Sequence, residues 1–88
     1  MGKKKLYNKA KTSPTNFRFN ELCSLAESVG FVFRNQSGSH KIYKHPTLKK
    51  IMNFQPDKRE KSKAKKTQIR QLLDFIDEFK MIGEGDDV

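Results

Sequence analysis

Residues 31–44, FVFRNQSGSHKIYK, decide the fold of this 88-residue chain. Phe31–Arg34 is rich in residues that favour β-strands, and Ser37-Gly38 is a turn signal. After the turn, His40–Lys44 has strand character again. The stretch therefore predicts a β-hairpin whose second strand returns antiparallel to the first.

A third strand and two helices are predicted on either side of this hairpin. Lys50–Phe54 has strand character, and a proline follows it closely. One helix is predicted from Asn20, a good N-cap residue, to Gly30, which suits the left-handed position after a helix. Its apolar residues recur at the spacing of one helix face: Leu22, Leu25, Ala26 and Val29. The other helix is predicted from about Lys66 to Lys80, with Thr67 as a candidate cap.

This α-β-β-β-α order predicts an α+β fold of the double-stranded-RNA-binding type. Three antiparallel strands would form a sheet with both helices packed on one face, which leaves the other face open. Residues 1–15 are predicted to be a flexible basic lead, residues 16–82 the folded domain, and residues 83–88 an acidic tail. The polar segment 57–65 is predicted to be a mobile loop.

Charge is the most informative property of the composition. Nineteen Lys and Arg against ten Asp and Glu give a formal net charge of +9, which favours a polyanionic partner. No apolar run approaches the roughly 20 residues that span a bilayer, and no apolar stretch follows the basic N-terminus as in a secretory signal. A single cysteine cannot form an internal disulfide. We therefore expect a reduced, cytoplasmic protein without a membrane segment.

The turn Gly38-Ser39-His40 is the candidate centre of chemistry. A histidine at the rim of a sheet can act as general base on a ribose 2′-hydroxyl, or as general acid toward the leaving oxygen. Because RNA supplies its own nucleophile, this chemistry needs no metal and no cofactor. Cations that could stabilise the charge of the transition state are Arg34, Lys41 and Lys44. The alternative is a histidine that only satisfies the end of a hairpin.

Other residues are weaker candidates for a site. His45 differs from His40 by an odd number of positions, so the two rings are expected on opposite faces of a strand. Together with Cys23, a core residue of the first predicted helix, they do not converge on a metal site. Four phenylalanines could stack on bases, but they are predicted to be core residues: Phe17, Phe19, Phe31 and Phe33.

A basic segment leads into the last helix and could grip RNA phosphates, where the helix dipole also favours anions. The alternative for each of its cations is a solvated linker. The candidate residues are Lys58, Arg59, Lys61, Lys63, Lys65 and Lys66.

Several segments, taken in order, resemble the HicA (YcfA-like) toxins of bacterial type II toxin–antitoxin systems. The resemblance runs from about Arg18 to Phe79. The spacing of Gly30-Phe31 before Gly38-Ser39-His40 is fairly specific when the other segments also follow in order. The other segments that carry it are Arg18-Phe19, Asn53-Phe54-Gln55-Pro56 and residues 64–73, AKKTQIRQLL.

The resemblance implies a double-stranded-RNA-binding-like fold and an endoribonuclease that acts on messenger RNA. It implies that His40 is the catalytic residue, that Gly38 and Ser39 shape its turn, and that a HicB antitoxin covers the site. The chain departs from many relatives at Lys41, where they have a second histidine, and at Lys66, where they have proline. Two alternatives stay open: a non-catalytic RNA-binding module on the same fold, and a basic adaptor with a protein partner.

Overall fold

The computed structural model describes residues 2–82, which form an α+β fold. The predicted α-β-β-β-α order is confirmed, and one more helix precedes it. No helix in this part of the chain is long and apolar enough to cross a membrane. The elements are α1 (Lys3–Thr12), a 3₁₀ turn (Pro14–Asn16), α2 (Phe19–Ser28), β1 (Val32–Ser37), β2 (His40–His45), β3 (Lys50–Phe54) and α3 (Lys66–Glu78).

The three strands form one antiparallel sheet with β2 in the centre. Alternate residues of β2 and β3 are buried, namely Tyr43 and His45 on β2 and Met52 and Phe54 on β3. Because successive side chains of a strand point to opposite faces, this pattern defines one face toward the helices and one open face. The helices cover the first face, and their apolar residues complete the core.

Both predicted helices exist, but their caps differ from the predictions. Helix α2 begins at Phe19 with Arg18 at the N-cap, so Asn20 lies in the first turn and is not the cap. The Arg18 N–H donates to the Glu21 carboxylate at 2.9 Å, which satisfies one free donor of this helix end. Helix α3 begins at Lys66 with Lys65 at the N-cap, so Thr67 is not the cap either.

Gly30 ends α2 in the left-handed conformation that its position predicted, with φ +104°. A second constraint acts on this residue from the sheet. A Cβ added at Gly30 would lie 2.6 Å from Nε2 of His45, so there is no room for a side chain. Gly30 is therefore required both by its backbone conformation and by the ring packed against it.

Residues 3–12 are helical, which differs from the predicted flexible lead. Leu6 and Ala10, four positions apart on one helix face, are 4% and 1% exposed and join the core. Lys9 of α1 forms an ion pair with Glu21 of α2 at 2.8 Å. Two apolar side chains are too few to predict this helix from the sequence, because their burial depends on the surface that α2 and α3 supply. The predicted acidic tail, residues 83–88, lies outside the described residues.

Segment 57–65 is held to the domain by backbone hydrogen bonds, although its composition predicted a mobile loop. Phe19 N–H donates to the Ser62 carbonyl at 2.9 Å, and Ala64 N–H donates to the Phe17 carbonyl at 3.0 Å. Ala64 is 5% exposed, so the end of the segment is part of the core. These partners lie about 45 residues earlier in the chain and leave no local signal in the segment.

Candidate functional site

The turn between β1 and β2 places His40 at the end of the central strand. Ser37 pairs with His40 across the hairpin, so Gly38 and Ser39 form a two-residue connection. Only Gly38 of the two has a positive φ, +61°, as in a type II′ turn with glycine at its first central position. The glycine is therefore a requirement of the turn, and the turn fixes where His40 enters the sheet.

His40 lies on the open face of the sheet. It is separated by odd numbers of residues from Tyr43 and His45, which point into the core, so its side chain points away from the helices. Ile42 and Lys44 share this face. His40 is partly exposed, and a ligand on the open face can reach it without displacing a helix.

One hydrogen bond orients the His40 ring. Its Nδ1 lies 3.1 Å from Oδ1 of Asn53 on β3. Because an amide oxygen only accepts, Nδ1 carries the proton in this pair and Nε2 is the basic nitrogen of the neutral ring. The arrangement leaves Nε2 available to exchange a proton with a ligand.

His45 has a different environment, as its opposite face predicted. It is 6% exposed, and its Nε2 lies 3.0 Å from the Val29 carbonyl. Leu48 N–H donates to its Nδ1 at 3.2 Å. Both ring nitrogens are satisfied by backbone groups and the ring packs edge-on against Phe31, so His45 is a structural core residue.

The three cations predicted near His40 are not all on its face. Lys44 lies on the open face with His40, four residues farther along β2. Lys41 points to the other side, where its Nζ lies 5.7 Å from the centroid of the Phe19 ring. Arg34 lies at a bulge in β1, between the pairs of Phe33 and Asn35, and is exposed. Of the three, the geometry favours Lys44 as a partner of the His40 face.

Segment 57–65, the basic loop between β3 and α3, meets the hairpin turn at a shared cleft. Ser39 lines this cleft of about 280 Å³ together with Lys58 and Lys61, and with Gln55, Pro56 and Asp57. The Asp57 carboxylate accepts hydrogen bonds from the N–H groups of Arg59 and Glu60, which lower the pKa of Asp57 and hold the loop in a turn. The structure thus brings part of the predicted basic segment next to the Gly38-Ser39-His40 turn.

The remaining loop cations lie farther along the same end of the molecule. Arg59, Lys65 and Lys66 line a second cleft, of about 360 Å³, at the start of α3. Lys63 lies 3.5 Å from the Glu60 carboxylate, so its charge is partly compensated. Lys58 lines both clefts, so the cations of the segment extend from the hairpin turn to the start of α3.

Cys23 and three of the four singled-out phenylalanines are core residues, as predicted. Burial raises the pKa of the Cys23 thiol, which keeps it protonated. Phe17, Phe19 and Phe31 are buried. Phe33 is 46% exposed, so the prediction that it belongs to the core is wrong; it lies on the edge strand β1, where its ring packs edge-on against the buried Tyr43 but stays open to solvent.

Sequence reasoning missed Asn53, the hydrogen-bond partner of His40. The two residues are 13 positions apart, and an asparagine within a strand carries no local signal of a functional role. Only the register of β2 against β3 could have revealed the contact. That register pairs Ile42 with Asn53 and so places Asn53 diagonally next to His40.

The comparisons with known proteins agree with this architecture. Residues 19–74 match the family model described as the HicA toxin of bacterial toxin–antitoxin systems. The match includes α2, the whole sheet and most of α3, and excludes α1. No curated protein and no solved structure matches the chain. The match extends over more than half of the chain, and the chain therefore belongs to the HicA toxin family.

Proposed function

We propose that this toxin is an endoribonuclease that cleaves messenger RNA, with His40 as its general acid–base residue. The observation that carries the proposal is the position of the His40 ring on the open sheet face. Its Nδ1 is hydrogen-bonded to Asn53, and its Nε2 is available for proton transfer. A partly exposed, oriented histidine beside a basic cleft has the geometry that ribonuclease chemistry needs.

In the proposed reaction, Nε2 of His40 removes the proton of a ribose 2′-hydroxyl. The 2′ oxygen then attacks the adjacent phosphorus, and the bond from phosphorus to the 5′ oxygen breaks. The protonated ring returns a proton to the leaving oxygen. The products are a 2′,3′-cyclic phosphate and a 5′-hydroxyl end. No metal enters the reaction as written, because the substrate supplies the nucleophile.

Cations at two places would hold the phosphates of the RNA. Lys44 lies on the face of His40, and Lys58 and Lys61 line the cleft next to Ser39. Positive charge next to the reacting phosphate stabilises the extra negative charge of the transition state. Lysines farther away contribute affinity through release of counterions.

Membership of the family implies an antitoxin partner, and we infer that this partner is of the HicB type. Residues 28–56 contain five Lys and Arg and no Asp or Glu. A partner that covers this sheet therefore needs an acidic surface. Because messenger RNA is the proposed substrate, we expect the protein to act in the cytoplasm.

The test is the His40→Ala variant, assayed on a labelled messenger RNA fragment in the presence of EDTA. We expect cleavage to fall by a factor of about 100 or more, while RNA affinity changes less than about twofold. Asn35→Ala, on the same face, is the matched control and should cleave normally. A 2′-O-methyl version of the RNA should resist the wild-type protein, and mass spectrometry should find cyclic phosphate ends.

A non-catalytic RNA-binding module is the second candidate, because lysines and an arginine line the two clefts and could hold phosphates whether or not cleavage follows. The same experiment separates the two functions. Wild-type protein that binds RNA in a salt-dependent way without cutting it supports the module. His40→Ala protein that cuts as fast as the wild type shows that His40 is not the catalytic group.

A further inference from the structure

Asn53 occupies a place from which it can control the His40 ring. Its Oδ1 lies 3.1 Å from His40 Nδ1, across the boundary between β2 and β3. Both residues lie on the open face, and neither points into the core. The contact is therefore not a by-product of core packing, and it requires that both side chains turn toward each other.

The backbone of Asn53 is fixed more firmly than its exposed side chain suggests. Met52 and Phe54, its neighbours on β3, are 2% and 0% exposed and are anchored in the core. Asn53 itself pairs with Ile42 in the ladder. A side chain on so rigid a backbone has few positions available, which suits a group that must orient another.

The chemistry of the pair selects one tautomer of His40. An asparagine oxygen accepts a hydrogen bond from Nδ1–H and has no proton to give. Without this acceptor the neutral ring is free to carry its proton on Nε2, and the nitrogen available for catalysis would then have no lone pair. An acceptor at this place keeps the basic nitrogen where a ligand on the open face meets it.

We propose that Asn53 is a positioning residue, which holds His40 in the Nδ1–H tautomer and fixes the orientation of its ring for proton transfer. The proposal rests on the proposed ribonuclease function and adds to it a residue that acts through His40. It assigns to Asn53 no contact with the reacting atoms.

Three variants test the proposal by steady-state cleavage of a messenger RNA fragment. Asn53→Leu keeps much of the size and removes the acceptor, whereas Asn53→Asp keeps an acceptor oxygen. Asn35→Leu is the matched control, because Asn35 pairs with Ile42 from the other side and accepts instead from the N–H of Gln36. We expect Asn53→Leu to lose at least about tenfold in kcat with KM nearly unchanged. Asn53→Asp and Asn35→Leu should stay within about threefold of the wild type.

A second measurement does not depend on activity. The ¹⁵N chemical shifts of the His40 ring report which nitrogen carries the proton. We expect Nδ1–H in the wild type, in Asn53→Asp and in Asn35→Leu, and a mixture of tautomers in Asn53→Leu. Thermal unfolding of all four proteins shows whether a loss of kcat reflects a loss of folded protein.

The two proposals fail in different ways. If cleavage requires His40 but Asn53→Leu equals Asn35→Leu in kcat and in ring shifts, the role of Asn53 is overturned and the ribonuclease stands. If a fall in kcat disappears when rates are corrected for the folded fraction, Asn53 is structural and the proposal is wrong. If the wild type cuts no RNA, the ribonuclease proposal fails, and the ring shifts alone still decide whether Asn53 selects the tautomer.

Discussion

At the scale of single residues, the two histidines show how five positions in one strand separate a candidate catalytic group from a structural one. His40 has one protein partner and an open side. His45 has backbone partners at both ring nitrogens and a ring wedged between Phe31 and Phe75. The parity of the strand places the two rings on opposite faces, and the helices that pack on the face of His45 make that face the core.

This difference predicts opposite effects of truncation. His45→Ala should lower the free energy of unfolding by about 2–4 kcal/mol, because it leaves a cavity and unsatisfied groups at Val29 and Leu48. His40→Ala should change it by no more than about 0.5 kcal/mol. Urea unfolding of both variants provides the measurement. Equal losses in the two would show that the ring of His40 also supports the fold.

At the scale of elements, α1 is attached to the domain by one hydrophobic face and a few polar contacts. Leu6 and Ala10 supply the apolar contact. Tyr7 donates a hydrogen bond to Asp77 of α3, and Lys9 reaches both carboxylate oxygens of Glu21 on α2, at 2.9 and 2.8 Å. An isolated helix of this length is unstable in water, so these tertiary contacts must hold it.

The Glu21 contact predicts a dependence of stability on pH. Burial by itself would raise the pKa of Glu21, but hydrogen bonds from Lys9 and from the Arg18 N–H outweigh it and lower this pKa below 4.5. A depressed pKa in the folded state adds stability above the unfolded value, and this is lost as pH falls through the folded value. Glu21→Gln should therefore unfold about 1 kcal/mol more easily at pH 7, and the gap from the wild type should shrink by pH 3.

Chemical denaturation at both pH values measures this gap. Asp74→Asn, which neutralises an exposed carboxylate of α3, is the matched control and should show little change at either pH. A gap that stays constant between pH 7 and pH 3 would mean that the Glu21 charge does not stabilise the docked helix.

At the scale of the whole molecule, the helices lie on one face of the sheet and the candidate site lies on the other. The helices pack on one side, and the other side carries His40. The loop between β3 and α3 meets the hairpin turn at one end of this sheet, so Lys58 and Lys61 of the loop line one cleft together with Ser39 of the turn. Lys49, in the turn between β2 and β3, and Lys50, the first residue of β3, lie at the opposite end of β2.

Because these lysines lie at opposite ends of the sheet, equal changes in charge at the two ends should have unequal effects on RNA binding. Lys58→Gln with Lys61→Gln should lower the slope of log affinity against log salt by about 1–2, as expected for two lost phosphate contacts. Lys49→Gln with Lys50→Gln, which removes the same net charge at the other end, should lower it by less than half as much. Filter binding between low and moderate salt measures both slopes. Equal slopes would indicate that only the net charge of the protein attracts RNA.

The sequence by itself determined the α-β-β-β-α order that follows α1, the hairpin turn and the parity of the two histidines. These properties depend on spacing between near neighbours, which a single chain displays directly. The predicted start of α2 was two residues too late. The Glu21 carboxylate and the Ser62 carbonyl accept hydrogen bonds from the N–H groups of Arg18 and Phe19, so this helix end does not depend on an Asn20 cap. Resemblance to the family added the proposed catalytic role of His40, which the spacing of its neighbours alone did not indicate.

Only the tertiary structure decided what surrounds His40. It placed Asn53 next to the ring, turned Lys41 toward Phe19 on the opposite face, and brought the loop cations to the hairpin turn. It also stabilised helix α1 in the basic lead, because Leu6 packs against the core of the domain. Each of these contacts joins residues far apart in the chain. Their energies arise only when the sheet register and the helix packing exist, so no local pattern records them.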